Sequence, residues 1–278
     1  MKAMIFGTSG LLGKVLMREW HGDELVGLSS RDADIRDANR MREVIAQAHP
    51  DWIVLAAAYT DVDGCESHPD LAFAVNRDGP VNVGQASKQV GAKILFLSSD
   101  YVFDGKKTSP YEAEDARNPQ SVYGRSKAEA EVRLLDMLPE CCIVRTSWLF
   151  GPDGKCFPDT ILKLAASRPA LDVVNDQRGC PTYTVDLARA IIELCRSQSS
   201  GILHLTNDGN CSWFEFAHEI VKGAGLSTDV RPVSSQQMAR PAPRPAYSVL
   251  SSKSLQPYGI VMPTWQDALQ RYLQQRKG

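Results

Sequence analysis

With 278 residues, 43% of them hydrophobic and 23% charged, the chain suits one large domain or a large one carrying a smaller partner. Its 31 Lys and Arg against 33 Asp and Glu leave a formal net charge of −2. That excludes the global basic field that draws proteins to nucleic acid or anionic membranes. No apolar run approaches the roughly 18 to 20 residues that span a bilayer. The start, Met1-Lys2-Ala3-Met4-Ile5-Phe6-Gly7, meets glycine too early for a signal-peptide core, so a cytoplasmic location is expected. Seven scattered cysteines without a C-x-x-C pair read as free thiols. The dispersed histidines give no metal-site spacing, and no metal site is expected.

In chain order, short apolar runs alternate with longer amphipathic ones. Strands are expected at Ala3–Phe6, Glu24–Leu28, Trp52–Ala57, Ala92–Ser98 and Cys142–Arg145. Helices are expected between them, near Leu11–Trp20, Ala38–Ala48, Pro69–Val90 and Val122–Leu138. Runs such as Ile94-Leu95-Phe96-Leu97 are apolar at consecutive positions, as in a parallel strand covered on both faces. The fold class is therefore α/β, a doubly wound parallel sheet of the Rossmann type over residues 1–150. After residue 150 the rhythm loosens. Turn clusters at Gly151-Pro152-Asp153-Gly154 and Arg178-Gly179-Cys180-Pro181-Thr182 alternate with helical patterns near Phe157–Ala166, Val185–Cys195, Trp213–Gly223 and Trp265–Gln274. Residues 151–278 read as a smaller substrate-binding lobe interleaved with the last sheet strands.

Three features carry chemistry. Gly7-x-x-Gly10-x-x-Gly13 lies between the first strand and the first helix. Glycine there permits a tight turn, close approach of a pyrophosphate and close helix packing, and the helix N-terminus offers free N–H groups to the phosphates. The second strand ends at Leu28-Ser29-Ser30-Arg31. The usual acidic partner for the adenosine ribose of NAD is absent, and Ser29 with Arg31 suits the 2′-phosphate of NADP(H), which is favoured over NAD(H). Asp34 and Ile35 are placed beside the adenine. Third, Tyr123-x-x-x-Lys127 shares one helix face, and an ammonium there is expected to pull the phenol pKa below about 10. Ser99 follows Leu97 at the carboxyl end of a buried strand, where ligands of such sheets bind. Its hydroxyl is expected to meet that of Tyr123 over one substrate carbonyl. Glycine turn, strand-end serine and Tyr-x-x-x-Lys together specify oxidation or reduction at a carbonyl carbon.

These residues resemble the dTDP-4-dehydrorhamnose reductase family of extended short-chain dehydrogenases/reductases over nearly the whole chain. The markers are Ala56-Ala57-Ala58-Tyr59-Thr60-Asp61-Val62-Asp63-Gly64-Cys65-Glu66, Ser98-Ser99-Asp100-Tyr101-Val102-Phe103-Asp104-Gly105, Asn118-Pro119-x-x-x-Tyr123-Gly124-x-x-Lys127 and Arg145-Thr146-Ser147-Trp148. Val174-Asn175-Asp176-Gln177, Gly179-x-Pro181-Thr182 and Arg244-Pro245 complete the set. The resemblance implies that Gly10, Leu11 and Leu12 line the pyrophosphate, and that Ala58, Tyr59 and Thr60 line the inner cofactor edge. It implies Tyr123 as proton donor, Lys127 on the nicotinamide ribose, and Ser99 (where threonine is more usual) and Asp100 on the sugar. Trp148 would pack on the sugar or its nucleotide. Arg244, in a basic run with Arg231 and Arg240 that has no intervening acid, is a candidate diphosphate clamp.

The implied reaction is transfer of hydride from NAD(P)H to the 4-keto group of a nucleotide-linked 6-deoxyhexose. Two alternatives stay open: a nucleotide-sugar epimerase or dehydratase, and a non-catalytic NADP-binding regulatory subunit like the β subunit of methionine adenosyltransferase. The first normally needs Asp-Glu after the strand-end hydroxyl, and here Asp100 is followed by Tyr101. Expected partners are the nucleotide sugar and a second copy of the chain in a homodimer, with no nucleic acid or membrane. Mg²⁺ could ride on a diphosphate, although no carboxylate cluster signals it.

Overall fold

The computed structural model describes residues 1–276. Strand β1 (Lys2–Phe6) leads into α1 (Leu11–Glu19), followed by β2 (Glu24–Leu28), α2 (Ala38–Ala48) and β3 (Trp52–Leu55). Two short helices, α3 (Val62–Ser67) and α4 (Pro69–Phe73), precede α5 (Gly79–Val90), β4 (Lys93–Ser99), α6 (Val122–Met137) and β5 (Cys142–Thr146). The chain continues through β6 (Leu149–Phe150), α7 (Phe157–Ala165), β7 (Ala170–Val174), β8 (Arg178–Gly179), β9 (Thr182–Tyr183) and α8 (Thr184–Arg196). It ends with β10 (Gly201–His204), β11 (Cys211–Ser212), α9 (Trp213–Gly223), β12 (Asp229–Val233) and α10 (Trp265–Gln275).

The main sheet has six strands in the order β10-β5-β4-β3-β1-β2, and every pairing in it is parallel. Successive strand residues feed opposite faces. Ala3, Ile5, Val54, Leu95, Leu97 and Val144 pack with α1 and α8. Met4, Phe6, Ile53, Leu55, Ile94, Phe96 and Ile143 pack with α2, α5 and α6. Both faces are thus covered, which is why the strands read as continuous apolar runs. Strand order reverses between β1 and β3, and the crevice beyond their carboxyl ends is the ligand position of such sheets.

The carboxyl half is woven into this frame. Strand β10 pairs with β5 at the sheet edge, a strand the sequence reading lacks. Small two-stranded ladders, β11 with β8, β12 with β7 and β6 with β9, build the rest of the lobe.

The helix expected over Pro69–Val90 is broken. A π-helical turn at Ala74–Asp78 separates α4 from α5. Pro80, which has no N–H to donate, sits at the start of α5. The widened turn turns Asn76 inward, where its amide accepts from Tyr59 N at 2.7 Å and donates to Tyr59 O at 3.0 Å. The expected strand Trp52–Ala57 also stops at Leu55: Ala56 N makes a last bond to Phe6 O at 3.0 Å, and beyond it the chain turns to Tyr59, which Asn76 holds. All seven cysteines are free and buried. Among the described residues, no helix is long and apolar enough to cross a membrane.

Candidate active site

The glycine turn is sterically obligatory. Gly7 has φ +94°, and a Cβ there would lie 2.7 Å from Ala57 N; one on Gly13 would lie 2.1 Å from Gly7 O. Helix α1 begins at Gly10 with no side-chain cap and no acidic residue in its first turn. Its first N–H groups and partial positive charge therefore face the crevice, as an anion site requires. An uncapped helix end and a cradle that any Cβ would fill both fit a dinucleotide pyrophosphate.

Two adjoining cavities share Gly10, Ala56 and Ala58. The first, about 260 Å³, is lined by Gly7, Gly10, Ser29, Asp34, Ile35 and Ala58 among the expected cofactor residues, and by Arg36, Leu71 and Val75, which the sequence reading did not single out. Arg31 is exposed and does not line it. Ser29 is engaged by Asp32: its backbone N–H donates at 2.9 Å and its hydroxyl at 2.6 Å. Arg36 instead reaches the cavity wall, its Nε and Nη2 donating to Asp34, and this holds the Asp34 carboxyl below the usual carboxylate range.

The second cavity, about 450 Å³, gathers Leu11, Leu12, Gly13, Thr60, Leu97, Ser99, Asp100, Tyr123, Lys127 and Trp148. Tyr59 lines neither cavity and packs instead against the group containing Cys65, Val122 and Tyr123. Ser99 Oγ donates to Asp100 Oδ1 at 2.9 Å. Tyr123 is buried, with the Tyr101 ring edge-on at 5.6 Å.

The expected depression of the phenol pKa is not what this geometry produces. Burial raises the Tyr123 pKa, Ser99 opposes that rise, and Asp100 adds to it. Lys127 Nζ points instead to the sheet, donating to Leu97 O at 2.5 Å above the Phe96 ring. Burial pushes the Lys127 ammonium down to about 7, against the pull of Glu131. Burial likewise raises the Asp100 carboxyl to about 6. Ser248 is near enough to oppose this, yet Asp100 Oδ2 completes no hydrogen bond within the protein.

Helix α6 holds the pair in place through residues outside the Tyr-x-x-x-Lys pattern itself. Ser121 caps it, and Glu66 Oε1 of α3 accepts from Val122 N at 2.7 Å. One turn beyond Lys127, the fully buried Glu131 accepts from Ser98 of β4, from Arg145 Nε at 3.0 Å and Nη2 at 2.7 Å, and from Arg117 at 3.1 Å. Burial favours the neutral acid, but these donors hold Glu131 below its ordinary range. The pair ties α6 to β4 and β5, and so fixes Tyr123 and Lys127 against Ser99. Serine 98 beside Ser99 and Glu131 four residues after Lys127 were the available sequence signals.

Trp148 takes a left-handed φ of 48°. Its indole lies on Gly179, where a Cβ would come within 2.5 Å of it, and stacks on Trp213 with ring centroids 3.5 Å apart and planes 7° apart. The arginines expected at a diphosphate do not line either cavity. Arg244 forms a bidentate pair with Asp63, at 2.7 and 2.9 Å. Arg240 lies 3.8 Å from the same carboxylate and Arg231 pairs with Asp229. The local run lacks an acid, but the fold supplies one from a distant segment. Among the described residues no group of three or more His, Cys, Asp or Glu could hold a metal ion.

An all-parallel doubly wound sheet with a glycine turn at its switch point, and serine, tyrosine and lysine in the adjoining cavity, defines an extended short-chain dehydrogenase/reductase. The chain belongs to the family described as the RmlD substrate binding domain, whose model matches residues 1–277. It is 40% identical over 277 residues to the spore coat polysaccharide biosynthesis protein SpsK of Bacillus subtilis, covering 99% of this chain and 98% of that one. It is 40% identical over 278 residues to the dTDP-4-dehydrorhamnose reductase of Mycobacterium tuberculosis, covering 96% of this chain and 91% of that one. The crystal structure of dTDP-4-dehydrorhamnose reductase from Bacillus anthracis in complex with NADP superposes with a TM-score of 0.96 at 36% identity, covering 99% of both chains.

Proposed function

We propose that this protein reduces the 4-keto group of a nucleotide-linked 6-deoxyhexose with NADPH, converting dTDP-4-dehydro-L-rhamnose to dTDP-L-rhamnose. The observation that carries the reading is the convergence of Ser99, Tyr123 and Lys127 in a cavity that joins the glycine-turn crevice. The dTDP-4-dehydrorhamnose reductases among its relatives and the NADP complex of one of them support the substrate and the cofactor.

In this reading residues 1–150 hold the cofactor and the lobe from residue 151 presents Trp148-facing surface to the sugar. The bound nicotinamide supplies hydride to the ketone carbon. Tyr123 gives its phenolic proton to the developing alkoxide, and the Ser99 hydroxyl donates a hydrogen bond to the same oxygen, so charge is stabilised where it forms. The raised phenol pKa suits a group that must arrive protonated. Lys127, one helical turn after Tyr123 and bonded to Leu97 O, supplies a positive charge to the floor of the cavity, and Asp100 Oδ2 accepts a sugar hydroxyl. Gly7, Gly10, Leu11, Leu12 and Gly13 cradle the pyrophosphate.

NADPH consumption with dTDP-4-keto-6-deoxy-L-mannose, followed by absorbance, tests the reading. Tyr123→Phe is expected to lower kcat by about 100-fold or more with NADPH affinity unchanged. Tight NADPH binding without turnover of this sugar by the wild type would overturn the assignment.

A further inference from the structure

Two residues that line the catalytic cavity each carry a buried side-chain atom that completes no hydrogen bond within the protein, Asp100 Oδ2 and Thr146 Oγ1. Two others, Trp52 Nε1 and Thr184 Oγ1, are also unpaired but line neither of the two cavities. An unpaired buried hydroxyl destabilises the fold by its full desolvation penalty. Inside a ligand cavity it has a use, because a site built to bond a substrate hydroxyl rejects an analogue that lacks one.

The position of Thr146 points to its partner. It ends β5 directly opposite Ser99 at the end of β4, in parallel register. Leu97 and Val144, two residues earlier on the two strands, pack in the same core cluster. Side chains alternate along a strand, so Ser99 and Thr146 project from that same sheet face at its carboxyl end. Their backbones are about 5 Å apart, the spacing of neighbouring strands. With Ser99 on the reacting carbonyl oxygen at C4, as the reading above has it, the hydroxyl beside it is placed for a substituent on an adjacent ring carbon. In a 4-keto-6-deoxyhexose C5 carries the methyl group, which leaves the hydroxyl on C3.

We propose that Thr146 is a substrate-binding residue that hydrogen-bonds the C3 hydroxyl, making the site selective for a sugar hydroxylated there over its 3-deoxy counterpart. This inference rests on the ketosugar-reductase reading above.

Thr146→Val keeps the β-branched shape and removes only the polar atom. Three quantities are compared with the wild type: KM for dTDP-4-keto-6-deoxy-L-mannose, NADPH affinity by fluorescence, and Tm of the ligand-free protein. The expected result is a KM raised by about 10-fold or more, the cost of one lost hydrogen bond. NADPH affinity should be unchanged, and Tm equal or higher because the unpaired hydroxyl is gone. Thr146→Ser should restore KM. The 3-deoxy substrate should show the same KM with wild type and Thr146→Val. A KM within twofold of wild type in Thr146→Val overturns the assignment, as does a raised KM accompanied by a lower Tm and weaker NADPH binding. A wild type that turns over no 4-keto sugar overturns the reductase reading, and this inference with it.

Discussion

Arg36 and Arg31 are the two candidates for recognising a phosphate on the adenosine ribose. Arg31 is exposed and outside the cavity, whereas Arg36 lines it and is held in place by Asp34. With Nε and Nη2 bonded to Asp34, the Arg36 Nη1 group is the donor left for a phosphate, and the rest of the guanidinium offsets the Asp34 carboxylate. Arg36→Ala should therefore raise KM for NADPH about 10-fold and leave KM for NADH nearly unchanged, while Arg31→Ala changes neither by more than about twofold. Equal effects of the two substitutions, read from NADPH and NADH titrations in parallel, would remove Arg36 from that role. The proposed catalytic residues Ser99, Tyr123 and Lys127, which the fold brings to one cavity, could be singled out in the sequence because each belongs to a short local pattern. Arg36 was not, since nothing in Asp34-Ile35-Arg36 distinguishes an arginine lining a cavity from a solvated one. Thr146 was less visible still, because its distinguishing property is a hydrogen bond that it does not make.

At the scale of elements, the parallel strands and main helices are readable because both sheet faces demand apolar runs and the helices carry one apolar stripe. What fails is the short and the non-local. Strand β10 is four residues long and becomes a strand only by pairing with β5, while the π turn before α5 depends on Pro80 and on Asn76 finding Tyr59. The lobe illustrates how such small elements position a side chain that lines the cavity. Pairing of Cys211 with Gly179 in the β8–β11 ladder brings a bare Cα and the first residue of α9, Trp213, to the same indole. The Ser212 capping box with Glu215 fixes that helix end. Trp213 and Gly179 are thus positioning residues for Trp148, whose left-handed backbone costs about 1–3 kcal/mol unless its surroundings enforce it. Trp213→Phe and Trp213→Leu each leave Trp148 without a second indole and should abolish the far-ultraviolet circular dichroism couplet of the stacked pair. KM for the sugar nucleotide should rise less in Trp213→Phe, which keeps an aromatic face on Trp148, than in Trp213→Leu, with NADPH affinity constant. Gly179→Ala should do the same by displacing the indole. Loss of the couplet at an unaltered KM would show that the stack is structural only.

For the molecule as a whole, the two buried charges of the catalytic cavity act on stability in opposite directions of pH. Asp100 has its folded pKa raised to about 6 from 3.8, so the folded state binds more protons between those values and stability falls as pH rises through them. Lys127 has its folded pKa lowered to about 7 from 10.5, so the unfolded state binds more protons there and stability rises with pH across that interval. Both side chains are therefore charged, buried and under-compensated near pH 6–7, where each costs the ligand-free fold a few kcal/mol. The α6 tie through Glu131 and Arg145 holds the helix in register despite this cost, consistent with active sites in which stability is given up for function. Lys127→Met and Asp100→Asn should each raise the Tm of the ligand-free protein at neutral pH while impairing turnover. The gain from Lys127→Met should shrink as pH rises from 7 toward 10.5, and that from Asp100→Asn as pH falls from 6 toward 3.8. Calorimetric scans across that range decide the matter: variants no more stable than wild type at pH 6.5, or gains that do not change with pH, would mean that the cavity already compensates both charges.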